Sequence, residues 1–174
     1  AGPKMDLLTD INQSWDVQQV LRIAPELEQY RLFYIEDPVS HHDYEGLREV
    51  SAHLDTPVAA GESYHSSLPF RQLLERRAID IVMVDLIVGG LTPWIKIAHM
   101  AEAYGKPVVS HLCPEILAHG IAAIPNGIIL EYLPWASLIF KEPPPIKDGQ
   151  MILTDKPGLG LEIDEAAMNR YAIS

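Results

Sequence analysis

The chain has 174 residues, 48% of them hydrophobic, a length and apolar content that suit one globular domain. Its formal net charge of −11 leaves no basic surface for nucleic acid or an anionic membrane. No apolar run reaches the ~18 residues of a membrane span, and the single cysteine, Cys113, excludes an internal disulfide and fits a reducing, cytoplasmic setting.

The opening Ala1-Gly2-Pro3-Lys4 reads as leading straight into a strand, with no signal peptide. That strand, Leu7-Leu8-Thr9, ends in Asp10, with Asn12 two residues on. Ser14 is the expected N-cap of a helix marked by Val17, Val20, Leu21 and Ala24. Pro25 is expected to kink or restart it, and Leu27 extends the buried face. Leu32-Phe33-Tyr34-Ile35 then reads as a strand buried on both faces, tipped by Glu36 and Asp37 and stopped by Pro38. Ser40-His41-His42-Asp43 leads into a helix carrying Leu47, Val50 and Leu54. The pattern recurs: Pro57 to Gly61 ends in Glu62, Ile79 to Val84 in Asp85, Pro107 to Ser110 in His111, and Gly127 to Leu130 in Glu131. Between these strands, helices are expected over Leu68–Arg77, Leu91–Tyr104 and about Glu115–Ile124, with Trp94 in the core. Gly89-Gly90 reads as the tight turn before Leu91 rather than a phosphate cradle, and Cys113 as packing. After Phe140 the run Glu142-Pro143-Pro144-Pro145 forms a stiff connector, and the tail beyond it, with a turn at Asp148-Gly149, is an accessory segment.

Successive strand tips, Asp10, Glu36, Glu62, Asp85, His111 and Glu131, are separated by 26, 26, 23, 26 and 20 positions. That is about the length of one βα unit, since a βαβ crossover needs ~30 residues. The fold class expected is therefore α/β, a (β/α) barrel of TIM type. Ligand-binding groups in such folds sit at the C-terminal ends of the strands. A barrel closes with eight units in ~250 residues. The six found here leave two exposed parallel edges, so an N-terminal part is expected to be missing and a homo-oligomer is favoured over a lone monomer.

Asp10, Glu36 and Glu62 lie on three consecutive strands. Three carboxylates without sulfur or imidazole suit a hard cation, Mg²⁺ first and Mn²⁺ second. The alternative is three solvated loop starts, which even spacing disfavours. His111 and Asp85, on neighbouring strands, suit a general base held in one tautomer by a carboxylate. Glu131 suits a protonated donor to a developing oxyanion, or an ordinary edge carboxylate. His41, His42, His65 and His119 lie in strand-to-helix segments, within reach of a substrate or simply solvated.

Asp10-Ile11-Asn12, Ile35-Glu36-Asp37-Pro38, Gly61-Glu62, Asp85 with Gly89-Gly90-Leu91-Thr92, Ser110-His111-Leu112 with Pro114-Glu115-Ile116, and Leu130-Glu131-Tyr132 together resemble the enolase superfamily, in its mandelate racemase and muconate lactonizing enzyme group. The tail Lys156-Pro157-Gly158-Leu159-Gly160 resembles the segment that returns to that family's capping domain. The resemblance implies strands three to eight of the barrel over residues 1–141, with 142–174 packing toward a capping domain. It implies Mg²⁺ on Asp10, Glu36 and Glu62, a His111–Asp85 dyad, Glu131 stabilising the intermediate, and substrate contacts from Asn12 and His41. The implied chemistry is removal of the proton α to a carboxylate through an enediolate. Enolase-superfamily sites pair a Lys or His base with Mg²⁺, so this mechanism is inherited from the family.

Dehydration of a sugar acid is the activity expected first. A racemase or epimerase of a 2-hydroxy acid is the runner-up. It would depend on the family's Lys-x-Lys motif, which has no counterpart in the sequence, and the turn from Asp85 to Gly89 lacks the basic residue often found there. From another class, an inactive partial barrel needing a partner chain is the competing reading. A metal-dependent hydrolase is disfavoured because no His-x-His pair sits on an early strand.

Overall fold

The computed structural model describes residue 2 and residues 4–172. Ala1 and Pro3 of the opening, and Ile173 and Ser174 of the tail, lie outside the described residues. Six short strands alternate with five helices: β1 (Leu8–Asp10), α1 (Val17–Glu28), β2 (Tyr34–Glu36), α2 (Tyr44–His53), β3 (Val58–Ala60), α3 (Ser67–Arg76), β4 (Ile81–Val84), α4 (Leu91–Ala103), β5 (Val108–Ser110), α5 (Pro114–Ala122) and β6 (Gly127–Ile129). The strands pair in chain order, all parallel, as a curled half-barrel. The six strands and five helices expected from the apolar runs are all present, within a few residues of their expected ends.

The helices cover the outer face of the sheet. Ile35, Val58, Val82, Val84 and Val108 meet Val20, Leu47, Phe70, Leu73, Trp94, Ile97 and Leu117 there, in one continuous core. The opposite face carries a second cluster, Tyr34, Ala59, Ile81, Met83 and Val109, with Phe33 and Ile129 beside it. Side chains alternate along a strand, so Glu36 shares the inner face with Tyr34. Trp94 is wholly buried, and its indole N–H donates to the Val84 carbonyl at 2.8 Å, tying α4 to the end of β4.

Two local expectations differ. The N-cap of α1 is Asp16, not Ser14: its carboxylate accepts from Gln19 N–H at 2.8 Å while Gln19 Oε1 accepts from Asp16 N–H at 3.1 Å. That reciprocal box satisfies two end donors at once, which Ser14 two positions earlier does not. Pro25 does not restart α1, which runs unbroken from Val17 to Glu28 around it.

The tail folds into a hairpin, β7 (Ile146–Lys147) and β8 (Gln150–Met151), turned by Asp148 and Gly149, both at positive φ. A short helix, α6 (Glu165–Tyr171), follows, capped by Asp164. His119 on α5 bonds the Leu159 carbonyl at 3.2 Å, so this histidine holds the tail. Among the described residues, no helix is long and apolar enough to cross a membrane.

Candidate active site

Register brings the acids together before any side chain is considered. Asp10 and Glu36 are direct partners across β1 and β2, and Glu36 faces Ala59, three residues before Glu62. Gly61, at φ 139, prepares Glu62: a Cβ there would stand 2.2 Å from the Met83 carbonyl oxygen. Only glycine lets the chain leave β3 this close to β4.

Asp85 follows β4 and is 4% exposed. Its Oδ1 accepts from Ile87 N–H at 2.7 Å, capping the 3-10 turn Leu86–Val88. Oδ2 is left for His111, whose Nδ1 donates to it at 2.5 Å. The other ring nitrogen, Nε2, lies 3.1 Å from Glu62 Oε2. Both imidazole nitrogens therefore face carboxylates, which calls for a proton on each. Burial works against that charge, but Asp85 and Glu62 outweigh it and raise the His111 pKa to about 10. The same contact holds Glu62 below its ordinary value. Glu131 Oε2 accepts from Leu112 N–H at 2.5 Å, and Glu131 N–H donates to Ser110 Oγ at 2.9 Å. This acid is thus fastened to the residue that follows His111.

Glu36 is 9% exposed. Burial first, then Asp10, Glu62, Glu131 and Asp37, raise its pKa to about 8. Asp37, 1% exposed, is raised to about 7, by burial first and Glu62 second. Among the described residues, His111 is the one ion-pair partner of this whole group of acids.

The donor set therefore fits a hard divalent cation in kind and in strand position. The side chains are not gathered round one point: among the described residues, no three His, Cys, Asp or Glu groups are. The reason is visible in their bonds. Asp10 Oδ1 accepts from Asn12 N–H at 2.6 Å, and Glu62 is turned to His111.

Asn12 is exposed at the end of β1, in the left-handed region. His41, half-buried, bonds Gln13 through both its backbone N–H and its Nδ1. Its ring lies 3.9 Å from that of His42 between centroids. Three groups at the mouth were not singled out from sequence: Asp37 as a buried acid in its own right, Gln13 and Ser63. Asp37 was legible as the second acid of the tip. Gln13 carried no signal of charge or spacing.

Among the described residues, five of the eight non-glycine residues with positive φ lie in these loops, Asn12 and Gln13 after β1, Asp37 after β2, Leu112 and Cys113 after β5, and the others, Arg31, Arg77 and Asp148, lie elsewhere. Backbone held in this sparsely populated region gathers at functional sites.

An inward-curling parallel sheet with acids and a His–Asp pair at its C-terminal rim defines the barrel portion of an enolase-type protein. The chain belongs to the enolase superfamily, in its mandelate racemase and muconate lactonizing enzyme group, and the family model described as enolase C-terminal domain-like matches residues 1–167. It is 36% identical to L-talarate/galactarate dehydratase of Salmonella typhimurium, over 95% of this chain and 42% of that protein. The crystal structure of an enolase from Bradyrhizobium complexed with magnesium and mandelic acid superposes with a TM-score of 0.94 at 35% identity, covering 99% of this chain and 48% of that one. L-Talarate dehydratase from Polaromonas, complexed with Mg and L-glucarate, gives 0.91 at 35% identity, covering 97% and 47%. The chain thus spans about half the length of the relatives it matches.

Proposed function

We propose that the protein carrying this chain removes the proton α to the carboxylate of a sugar acid and dehydrates it. The observation that carries this reading is His111, held by Asp85 on one nitrogen and opening onto Glu62 on the other. A proton-transfer group thereby faces the carboxylates that suit a cation. Relatives named for talarate, galactarate and xylonate dehydration, and a relative's structure with Mg and L-glucarate, support the substrate class.

Asp10, Glu36 and Glu62 are the proposed holders of Mg²⁺, with Mn²⁺ as the substitute. When bound, the cation supplies the positive charge that makes an otherwise barely acidic α proton removable. His111, oriented by Asp85, is placed to take the α proton on its other nitrogen and then to give that proton to the departing 3-hydroxyl, which leaves as water. In its neutral form it serves as the base. Glu131 is proposed to share the charge of the enediolate. An amide oxygen only accepts, so His41 Nδ1 carries the hydrogen toward Gln13, and Nε2 is the acceptor it offers a substrate hydroxyl. Asn12 is proposed beside it.

Residues 1–141 carry all of these groups. Residues 142–174 are proposed to return toward a capping domain, and the exposed Ile163, Met168 and Tyr171 support an apolar contact there. The outer strands β1 and β6 expose Leu8 and Ile128, which favours pairing with further chain and a homo-oligomer. A cytoplasmic setting fits the lone cysteine, Cys113.

Proton NMR in D₂O, on the intact protein with Mg²⁺ and a panel of aldonic and aldaric acids, tests the reaction. A 2-keto-3-deoxy product is expected. Deuterium entering at C2 with inverted configuration would mean a racemase instead. Silence with every acid would remove both and favour an inactive barrel.

A further inference from the structure

The side-chain amide of Gln13 spends all four of its hydrogen-bonding positions on the loops that carry the acids. Nε2 donates to Asp37 Oδ2 at 3.3 Å and to Ser63 Oγ at 2.9 Å. Oε1 accepts from the His41 backbone N–H at 2.9 Å and from His41 Nδ1 at 2.5 Å. A primary amide has two donor hydrogens and two acceptor lone pairs, so none is left over. In sequence, Gln13 lies three positions after Asp10, Asp37 one after Glu36, and Ser63 one after Glu62. The backbone adds a further tie, since Gln13 N–H donates to the Asp37 carbonyl at 2.7 Å. Tyr64 O–H donates to the His41 carbonyl at 2.5 Å, which closes the circuit back to the loop after β3. Asn12, Gln13 and Asp37 all have positive φ, a conformation that side-chain-bearing residues keep when their surroundings over-determine it.

We propose that Gln13 is a positioning residue: it locks the loops after β1, β2 and β3 in one register and so sets the cation affinity of Asp10, Glu36 and Glu62. This rests on the metal reading above. It acts through Asp37 and Ser63, in the manner of outer partners that orient metal ligands. A mere loop staple would lower the melting temperature and leave cation affinity alone.

Titration of the intact protein with Mn²⁺, with free ion followed by electron paramagnetic resonance, separates the two roles. Gln13→Met keeps length and loses all four bonds, and its Kd is expected to rise roughly 10- to 100-fold. Gln13→Glu keeps the acceptor toward His41 but sets an anion against Asp37, and is expected to weaken binding at least as much. Ser63→Ala, which removes one bond, is expected to weaken it severalfold with the cation-free melting temperature unchanged. Wild-type affinity in Gln13→Met overturns the proposal. If Gln13→Met does not fold, Ser63→Ala decides, and its wild-type affinity overturns the proposal equally. A wild-type protein that binds no Mn²⁺ would overturn the metal reading itself, and this inference with it.

Discussion

At the lower end of the sheet, Asp80 stands just before β4, half-buried and fully partnered. Its Oδ1 accepts from Lys106 Nζ at 3.1 Å, and its Oδ2 from Ser51 Oγ at 3.0 Å and Val58 N–H at 3.1 Å. Nearby, Glu28 Oε1 accepts from the backbone N–H groups of Asp55 and Thr56 at 2.7 and 2.9 Å. At the mouth, Asp10, Glu36, Asp37, Glu62, Asp85 and Glu131 follow one another at the strand ends, and only Glu62 and Asp85 reach the His111 imidazole. Each acid below has its donors within the fold and serves architecture. Above, burial and the neighbouring acids raise the proton affinity of Glu36 and Asp37, an electrostatic cost the fold carries without repaying it locally. The proposed cation and substrate would add their charge and hydrogen bonds at this end.

The sharpest way to break this contrast is His111→Asn. It is expected to lower turnover of the intact protein by about 10²- to 10⁴-fold, the usual contribution of a placed acid–base group, while circular dichroism stays unchanged. Turnover within a factor of about two of wild type would show that proton transfer belongs to another residue.

The acids of the mouth should also make stability depend on pH. Glu36 is raised from 4.5 to about 8 and Asp37 from 3.8 to about 7. The folded state then keeps protons that the unfolded chain has released, so cation-free stability falls as pH rises from about 4 to 8. His111 acts in the same direction: raised from 6.5 to about 10, its contribution is complete below 6.5 and fades through 10. Magnesium at a hundred times its Kd adds about 2.7 kcal/mol by mass action. The gain in melting temperature at a fixed magnesium concentration is expected to be larger at pH 8 than at pH 5. Equal gains would place the cation away from these acids.

At the lower end, Asp80→Ala is expected to cost about 2 kcal/mol, since it leaves Lys106 and the Val58 N–H without their acceptor. Denaturant titration reads this, and turnover per folded molecule should not move. Smaller still, Asp16→Ala removes the α1 cap and is expected to cost about 1 kcal/mol, a drop of about 2–4 °C in melting temperature. A loss of turnover in either variant would show that the two ends are coupled.

Much of this was legible because a buried parallel strand is written locally. Leu32 to Glu36 shows both the apolar run and the acid that ends it, and the same grammar placed Asp10, Glu62, Asp85, His111 and Glu131 at strand ends. Asp85 and His111 could be matched because neighbouring strands in a parallel sheet carry neighbouring tips. The α1 cap went to Ser14 although Asp16 and Gln19 already stood at capping-box spacing. Gln13 was beyond reach for a different reason. An uncharged side chain announces nothing, and its partners are 24, 28 and 50 positions away. The rotamers that turn Asp10 to Asn12 and Glu62 to His111 are likewise tertiary choices that no strand pattern encodes.

Trp94 gives the mouth an optical gauge. Its indole is sealed from solvent and hydrogen-bonded to the carbonyl of Val84, the residue before Asp85. Trp135, by contrast, is 70% exposed. Quenching by a water-borne agent should silence the exposed ring first and leave the emission of the sealed one together with that of Trp15, which is partly buried against the core. Any ligand that shifts the end of β4 would then report itself as a change in colour, with no label attached.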